Sequence, residues 1–114
     1  MPFEKHPAVY ILANRYRSTM YVGVTSALYN RVADHKNKRF DGYTARYGIS
    51  MLVWYEHHQS MDAAIRREKQ IKKWNRPWKF RIIEEMNPQW RDLHDEIDVT
   101  ATLVGEAGPP PARG

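Results

Sequence analysis

Leu28, Arg31, Val32 and His35 fall at i, i+3, i+4 and i+7, so a guanidinium and an imidazole share the apolar stripe of a helix. Tyr10 and Tyr21 lie just upstream in two short apolar runs. A guanidinium is rarely buried without a partner, and a neutral imidazole in a core needs both nitrogens satisfied. Taken singly, each side chain can snorkel to the edge of its stripe or pair in the core. Taken with the two tyrosines, they compose a site. A carboxylate adds to it from a second helix, whose inner stripe reads Met61, Ala64, Ile65, Glu68, Ile71 and Lys72, with glutamate where leucine is expected. One reading of Glu68 is an exposed stripe edge paired to Lys72 at i+4, worth about a few tenths of a kcal/mol. The other is an inward carboxylate for a hard divalent cation, of the kind that serves phosphoryl transfer with water and substrate oxygens completing its shell.

The elements that must position these groups follow from pattern. Ala8 to Leu12 and Met20 to Val24 read as two strands of a hairpin, with polar turn chemistry from Asn14 to Thr19. Gly23 inside the second run marks a bulge or a close approach of backbone or ligand. Thr25 or Ser26 can cap a helix over Ala27 to Lys38. Asn37 to Gly48 reads as a surface loop, in which either Tyr43, Arg46 and Tyr47 touch a nucleic-acid strand or Phe40, Tyr43 and Tyr47 pin the loop to the domain. Met51 to Glu56 reads as a third strand, apolar enough to be central. Ser60 caps a helix over Met61 to Trp74, which Pro77 ends or kinks, and Trp78, Phe80, Ile82 and Ile83 fold a further helix back on the core. Gln89 to Ile97 reads as a last short helix, with Trp90, Leu93 and Ile97 inward. The expected organisation is one domain over residues 1–97 and a disordered acidic, Pro/Gly-rich tail over 98–114.

The chain has 114 residues and no cysteine, which excludes disulfides and thiolate metal sites and fits an intracellular setting. No apolar run reaches the length of a membrane span and no secretory signal opens the sequence, so a soluble cytoplasmic protein is expected. The net charge of +5 is divided: residues 1–81 hold 16 Lys and Arg against 6 Asp and Glu, and residues 82–114 hold 2 against 7. Such a basic body suits a polyanion, because neutralising phosphates releases counterions. Lys36, Lys38, Arg39, Arg46, Lys72, Lys73, Arg76 and Lys79 are the candidate nucleic-acid contacts, within a basic run that also holds Arg66, Arg67, Lys69 and Arg81.

With these residues in order, the sequence resembles the GIY-YIG endonuclease superfamily, in particular its small stand-alone bacterial members. Ala8-Val9-Tyr10 stands for the Gly-Ile-Tyr half and Tyr21-Val22-Gly23 for the Tyr-Ile-Gly half; Arg31, His35 and Glu68 follow at matching places. The resemblance spans roughly residues 6–95 and implies an α+β fold, a small three-stranded antiparallel sheet flanked by helices. It further implies an endonuclease that hydrolyses phosphodiester bonds in DNA with one divalent metal, Mg2+ or Mn2+. Glu68 would hold the metal, Arg31 would stabilise phosphoryl charge, and Tyr10 would position or deprotonate the attacking water. His35 would relay the proton and Tyr21 would orient water or phosphate. The phenol, with an ordinary pKa near 10, would need Arg31, the metal or His35 to lower its proton affinity. Two departures stand out: Val24 replaces a lysine found in some members, which shifts weight to His35, and the family's downstream asparagine has no secure counterpart, since Asn75 lies closer to Glu68 than expected and its role stays open. Without room for a separate DNA-binding domain, structure-specific cutting of branched, damaged or single-stranded DNA is expected, in a DNA-repair setting or with a protein partner supplying specificity. The alternative is a nucleic-acid-binding module that keeps the fold and no longer cuts.

Overall fold

All six residues of β1 (Ala8–Ala13) are buried, which requires cover on both faces and pairing on both edges. The computed structural model describes residues 6–37 and 46–97. In it β1 is the middle of a three-stranded antiparallel sheet of order β2-β1-β3, with β2 at Met20–Thr25 and β3 at Met51–His57. Ala8, Tyr10 and Leu12 point to one face and pack with Leu28, Val32, Ile49, Leu52 and Leu93; Val9, Ile11 and Ala13 point to the other, against Ala64, Ile71, Ile83 and Trp90. Helix α1 (Leu28–Lys36) covers the first face, and α2 (Met61–Lys72) and α3 (Arg76–Met86) cover the second. The fold is therefore the expected α+β arrangement. Lys38, Arg39, Phe40, Tyr43 and the tail from residue 98 lie outside the described residues.

The hairpin turn is organised by Asn14, whose Oδ1 accepts from the amides of Ser18 (3.0 Å) and Thr19 (3.4 Å) while its Nδ2 donates to Ser18 Oγ. Arg17 completes the turn in the left-handed region at φ 59°. At the other end of β2, Thr25 Oγ1 accepts from the Ala27 amide at 3.0 Å, so the strand passes into α1 through a side-chain-closed turn. Ser60 Oγ caps α2 by accepting from the Ala63 amide.

Several expectations are corrected. The Met51–His57 strand is an edge, not the centre, although Leu52, Val53 and Trp54 are buried. Its outer polar groups are met by the chain's last segment: Asp92 Oδ1 accepts from the Leu52 amide (3.1 Å) and Asn87 Nδ2 donates to the Val53 carbonyl (3.1 Å). A strand whose open edge is covered in this way can be as apolar as a central one. Pro77 neither ends nor kinks α2, which stops at Lys72; it lies in the first turn of α3, where its missing N–H costs nothing. Trp78 does not fold back on the core. It is 54% exposed, whereas Phe80, Ile82 and Ile83 face inward. Residues 89–97 form no α-helix, because Trp90 takes φ 55° and only Leu93–Glu96 close a 3-10 turn; Trp90 and Leu93 are nevertheless buried as expected.

Asp92 joins three elements. Besides the Leu52 amide it accepts from the His94 amide and is ion-paired to Lys36 of α1, whose ammonium also donates to the Ser50 carbonyl at 3.0 Å. Burial alone would raise the Asp92 pKa, but hydrogen bonds from Lys36 and from the His94 and Leu52 amides overcome it and hold the carboxyl below its usual range. Its contribution to stability is thus present above the unfolded carboxylate pKa and lost as pH falls through the lower folded value. Asp92→Ala is expected to cost about 1–3 kcal/mol, because a β3 amide and a lysine lose their partner together. Urea denaturation at pH 7 measures this; an unchanged midpoint would show that the clamp is dispensable.

Candidate active site

Tyr10, Tyr21 and His35 form a three-ring cluster where the β1–β2 hairpin meets α1. The ring centroids lie 6.2 Å apart for Tyr10 and Tyr21, 6.2 Å for Tyr10 and His35, and 5.5 Å for Tyr21 and His35. Tyr10 is 2% exposed and His35 6%; Tyr21 and Arg31 are half-buried. Gly23 is the cross-strand partner of Tyr10, and a Cβ there would meet Tyr10 Cζ and Oη at 2.6 Å and Tyr21 Cε2 at 2.9 Å. The absent side chain is the space in which the Tyr10 phenol lies, a role that the glycine within an otherwise apolar strand signals only as a close approach of some kind.

The electrostatics bring Arg31 and Glu68 to the same phenol. Burial first and the neighbouring Tyr21 second push the Tyr10 pKa well above its ordinary value; Arg31 opposes them, and Glu68 adds to the rise. Tyr10 is therefore a protonated phenol at neutral pH. His35 moves the opposite way, its pKa lowered by burial first and by Arg31 second, against a smaller opposing effect of Asp34. Tyr10 Oη and His35 Nε2 face each other over a long 3.4 Å, with the direction of donation set by the imidazole tautomer.

Glu68 reaches this region from α2, which packs against β1 and β2. Its side chain is 13% exposed, and its Oε2 is ion-paired at 2.9 Å with Lys72 one turn on. Both sequence readings of this residue thus hold part of the truth, since the carboxylate is inward and also paired at i+4. Among the described residues no group of three or more His, Cys, Asp or Glu is gathered to hold a metal. A single carboxylate suits Mg2+ or Mn2+, which keep several waters and take substrate oxygens, and does not suit a metal that needs a full protein cage.

The basic residues divide. Lys36 is committed to Asp92 and Ser50, and Arg76 donates to the Ser18 carbonyl at 2.9 Å while remaining on the surface. Lys72 pairs with Glu68; Lys73 is exposed and Lys79 is half-buried on α3; Arg46 is exposed and lies 5.7 Å over the Tyr47 ring. Asn75 caps α3, its Oδ1 accepting from the Trp78 amide at 3.2 Å. Asn87, 1% exposed and hydrogen-bonded to Val53 and Arg91, reads in the sequence only as a break before proline, because Val53 is distant along the chain.

A hairpin feeding a helix brings Tyr10, Tyr21 and His35 ring to ring, and the charges of Arg31 and Glu68 act on the Tyr10 phenol. Residues 6–81 match the GIY-YIG catalytic domain. The chain is also 35% identical over 77 residues to UPF0213 protein SH2523 of Staphylococcus haemolyticus, an alignment that covers 68% of this chain and 93% of that protein. The chain belongs to the GIY-YIG family, a nuclease superfamily. No solved structure matches it. No described helix is long and apolar enough to cross a membrane.

Gly23→Ala is expected to drive the Tyr10 phenol out of its slot. Overpacking of this kind costs about 1–3 kcal/mol, which a folded domain can survive. The expected result is a lowered melting temperature, unchanged far-ultraviolet circular dichroism, and activity reduced by about a hundredfold or more through the misplaced phenol. Wild-type activity in a folded Gly23→Ala protein would show that the phenol's position is immaterial.

Proposed function

We propose that this protein is a divalent-metal-dependent endonuclease that hydrolyses phosphodiester bonds in DNA, selecting structure rather than sequence. The observation that carries it is the convergence of a protonated Tyr10, a neutral His35 and the charges of Arg31 and Glu68, delivered by a strand and two helices. A surface that merely binds polyanions gains nothing from an inward carboxylate.

Arg31 faces the phosphoryl group and offsets the charge that grows on it. Tyr10 holds the attacking water and hands its own proton to His35 Nε2 as it takes one from that water, so the proton ends on the imidazole. The water oxygen bonds to phosphorus, the P–O bond to the leaving nucleoside breaks, and solvent protonates the departing oxygen. Tyr21, ring to ring with both partners, keeps this relay aligned. Glu68 would hold the divalent metal, which when bound supplies Lewis-acid stabilisation of the phosphate and the leaving oxygen.

The Glu68–Lys72 ion pair favours one second reading, a binding module whose carboxylate is already neutralised. The deciding experiment incubates the purified chain with supercoiled plasmid, a branched duplex and a single strand, in Mg2+, in Mn2+ and in chelator. Metal-dependent nicking, strongest on the branched substrate, is expected. Binding without cutting under either metal would replace the nuclease by the binding module.

A further inference from the structure

Four side chains at the elbow between α2 and α3 form a row of two rings with a cation at each end. The Arg67 guanidinium lies 5.4 Å from the Trp74 centroid, Trp74 is 6.1 Å from Trp78, and Arg81 is 5.8 Å from Trp78. The same side chains, with Ile82 and Glu85, line a shallow cavity of about 160 Å³. Trp74 is half-buried against the core, whereas Trp78 is 54% exposed. An isolated surface apolar residue needs no explanation. This one differs in how firmly it is held: Asn75 Oδ1 accepts from its amide, Pro77 precedes it in the first turn of α3, and Arg67, which supports Trp74, is anchored to Glu56 at 2.9 Å. The ring is presented on a rigid corner, so little conformational freedom is lost when something stacks on it.

The charge around it identifies the occupant. Residues 66–81 carry eight Lys and Arg and a single acid, Glu68; with Arg67 paired to Glu56, Lys72 to Glu68, and Glu85 at the cavity rim, a net positive charge still surrounds the elbow and suits a polyanion. Aromatic rings set in positive charge are the platform on which successive unpaired bases stack, whereas paired bases keep their faces inside the duplex. We propose that the Trp74–Trp78 elbow, braced by Arg67 and Arg81, is a stacking subsite for an unpaired base of single-stranded DNA, on the turn that leaves the Glu68 helix. Trp74 follows Glu68 by six residues, just past the end of α2 at Lys72. The inference rests on the nuclease reading for its biological sense but not for its test.

The test measures binding of the full chain in chelator, so that cleavage plays no part, to oligo(dT) of about 20 nucleotides, long enough to span more than one site of the usual size, and to a duplex of equal length, across a salt series. Trp78→Ala is expected to weaken oligo(dT) binding about tenfold or more, with an unchanged salt slope because no charge is lost, and duplex binding by less than about twofold. Trp78→Phe keeps a ring and should retain most of the affinity. Melting temperatures of both variants should match wild type, since the ring is outside the core. Equal losses on both ligands, no loss on oligo(dT), or a wild type that does not bind oligo(dT) would overturn the subsite. Loss confined to oligo(dT) in a protein that nicks nothing under either metal would leave the subsite standing and remove the nuclease reading instead.

Discussion

Replacing Glu68 by glutamine is expected to lower metal-dependent nicking by at least about a hundredfold while leaving DNA affinity unchanged or slightly higher. The amide keeps the shape of the side chain but removes the charge that would hold a divalent cation, so the loss falls on the transition state. The carboxylate is only 13% exposed, so its charge acts in a setting less screened than the surface, and its partner Lys72 is 52% exposed. The Glu68→Gln protein loses an i,i+4 ion pair worth about 0.3–0.5 kcal/mol, too little to unfold it. It also frees the Lys72 ammonium for phosphate, which is why affinity should not fall. Nicking rate and dissociation constant on one substrate, with the melting temperature as control, decide the matter. A Glu68→Gln protein that cuts at the wild-type rate would reduce Glu68 to a helix-surface residue.

The second large effect belongs to the phenol and the imidazole as a unit. Tyr10→Phe and His35→Ala should each lower the nicking rate by about a hundredfold or more, as loss of a positioned proton carrier does. The double variant should be no slower than the worse single one, because a relay broken at one link gains no further defect at the other. Losses that multiply would mean two independent roles. The Tyr10→Phe protein should keep its stability within about 1 kcal/mol, since the hydrogen bond between the hydroxyl and His35 is long. The acid side of the rate–pH profile tests the same pair. Burial and Arg31 hold the His35 pKa below its ordinary 6.5, so the imidazole stays a proton acceptor to a pH lower than an exposed histidine would. Because the folded value is the lower one, protonation also favours the unfolded chain: this contribution to stability is complete above pH 6.5 and lost as pH falls toward the folded pKa. Circular dichroism recorded through the same range separates the two losses. A rate that is flat while the fold persists below the His35 pKa would remove the imidazole from the relay.

The hairpin, the helix stripes and the family are legible in the linear order of residues. Alternation and period place Tyr10 and Tyr21 on strands and Arg31, His35 and Glu68 on the inner faces of helices, since strand and helix periods are local properties of the backbone. The free side of Gly23, the cap at Ser60 and the basic run are legible for the same reason. Which strand is central is not, because burial of β3 comes from Asn87 and Asp92, 34 and 40 residues from their partners, and no window of sequence holds both sides of that contact. Only packing reveals that Lys36 serves the fold, that Trp78 faces water and that Trp90 turns the chain where a helix was expected. Packing also sets the protonation of the site. The types Tyr10 and His35 announce proton chemistry, but burial raises the proton affinity of one and lowers that of the other, and burial is a property of the packed sheet and helices, not of either residue.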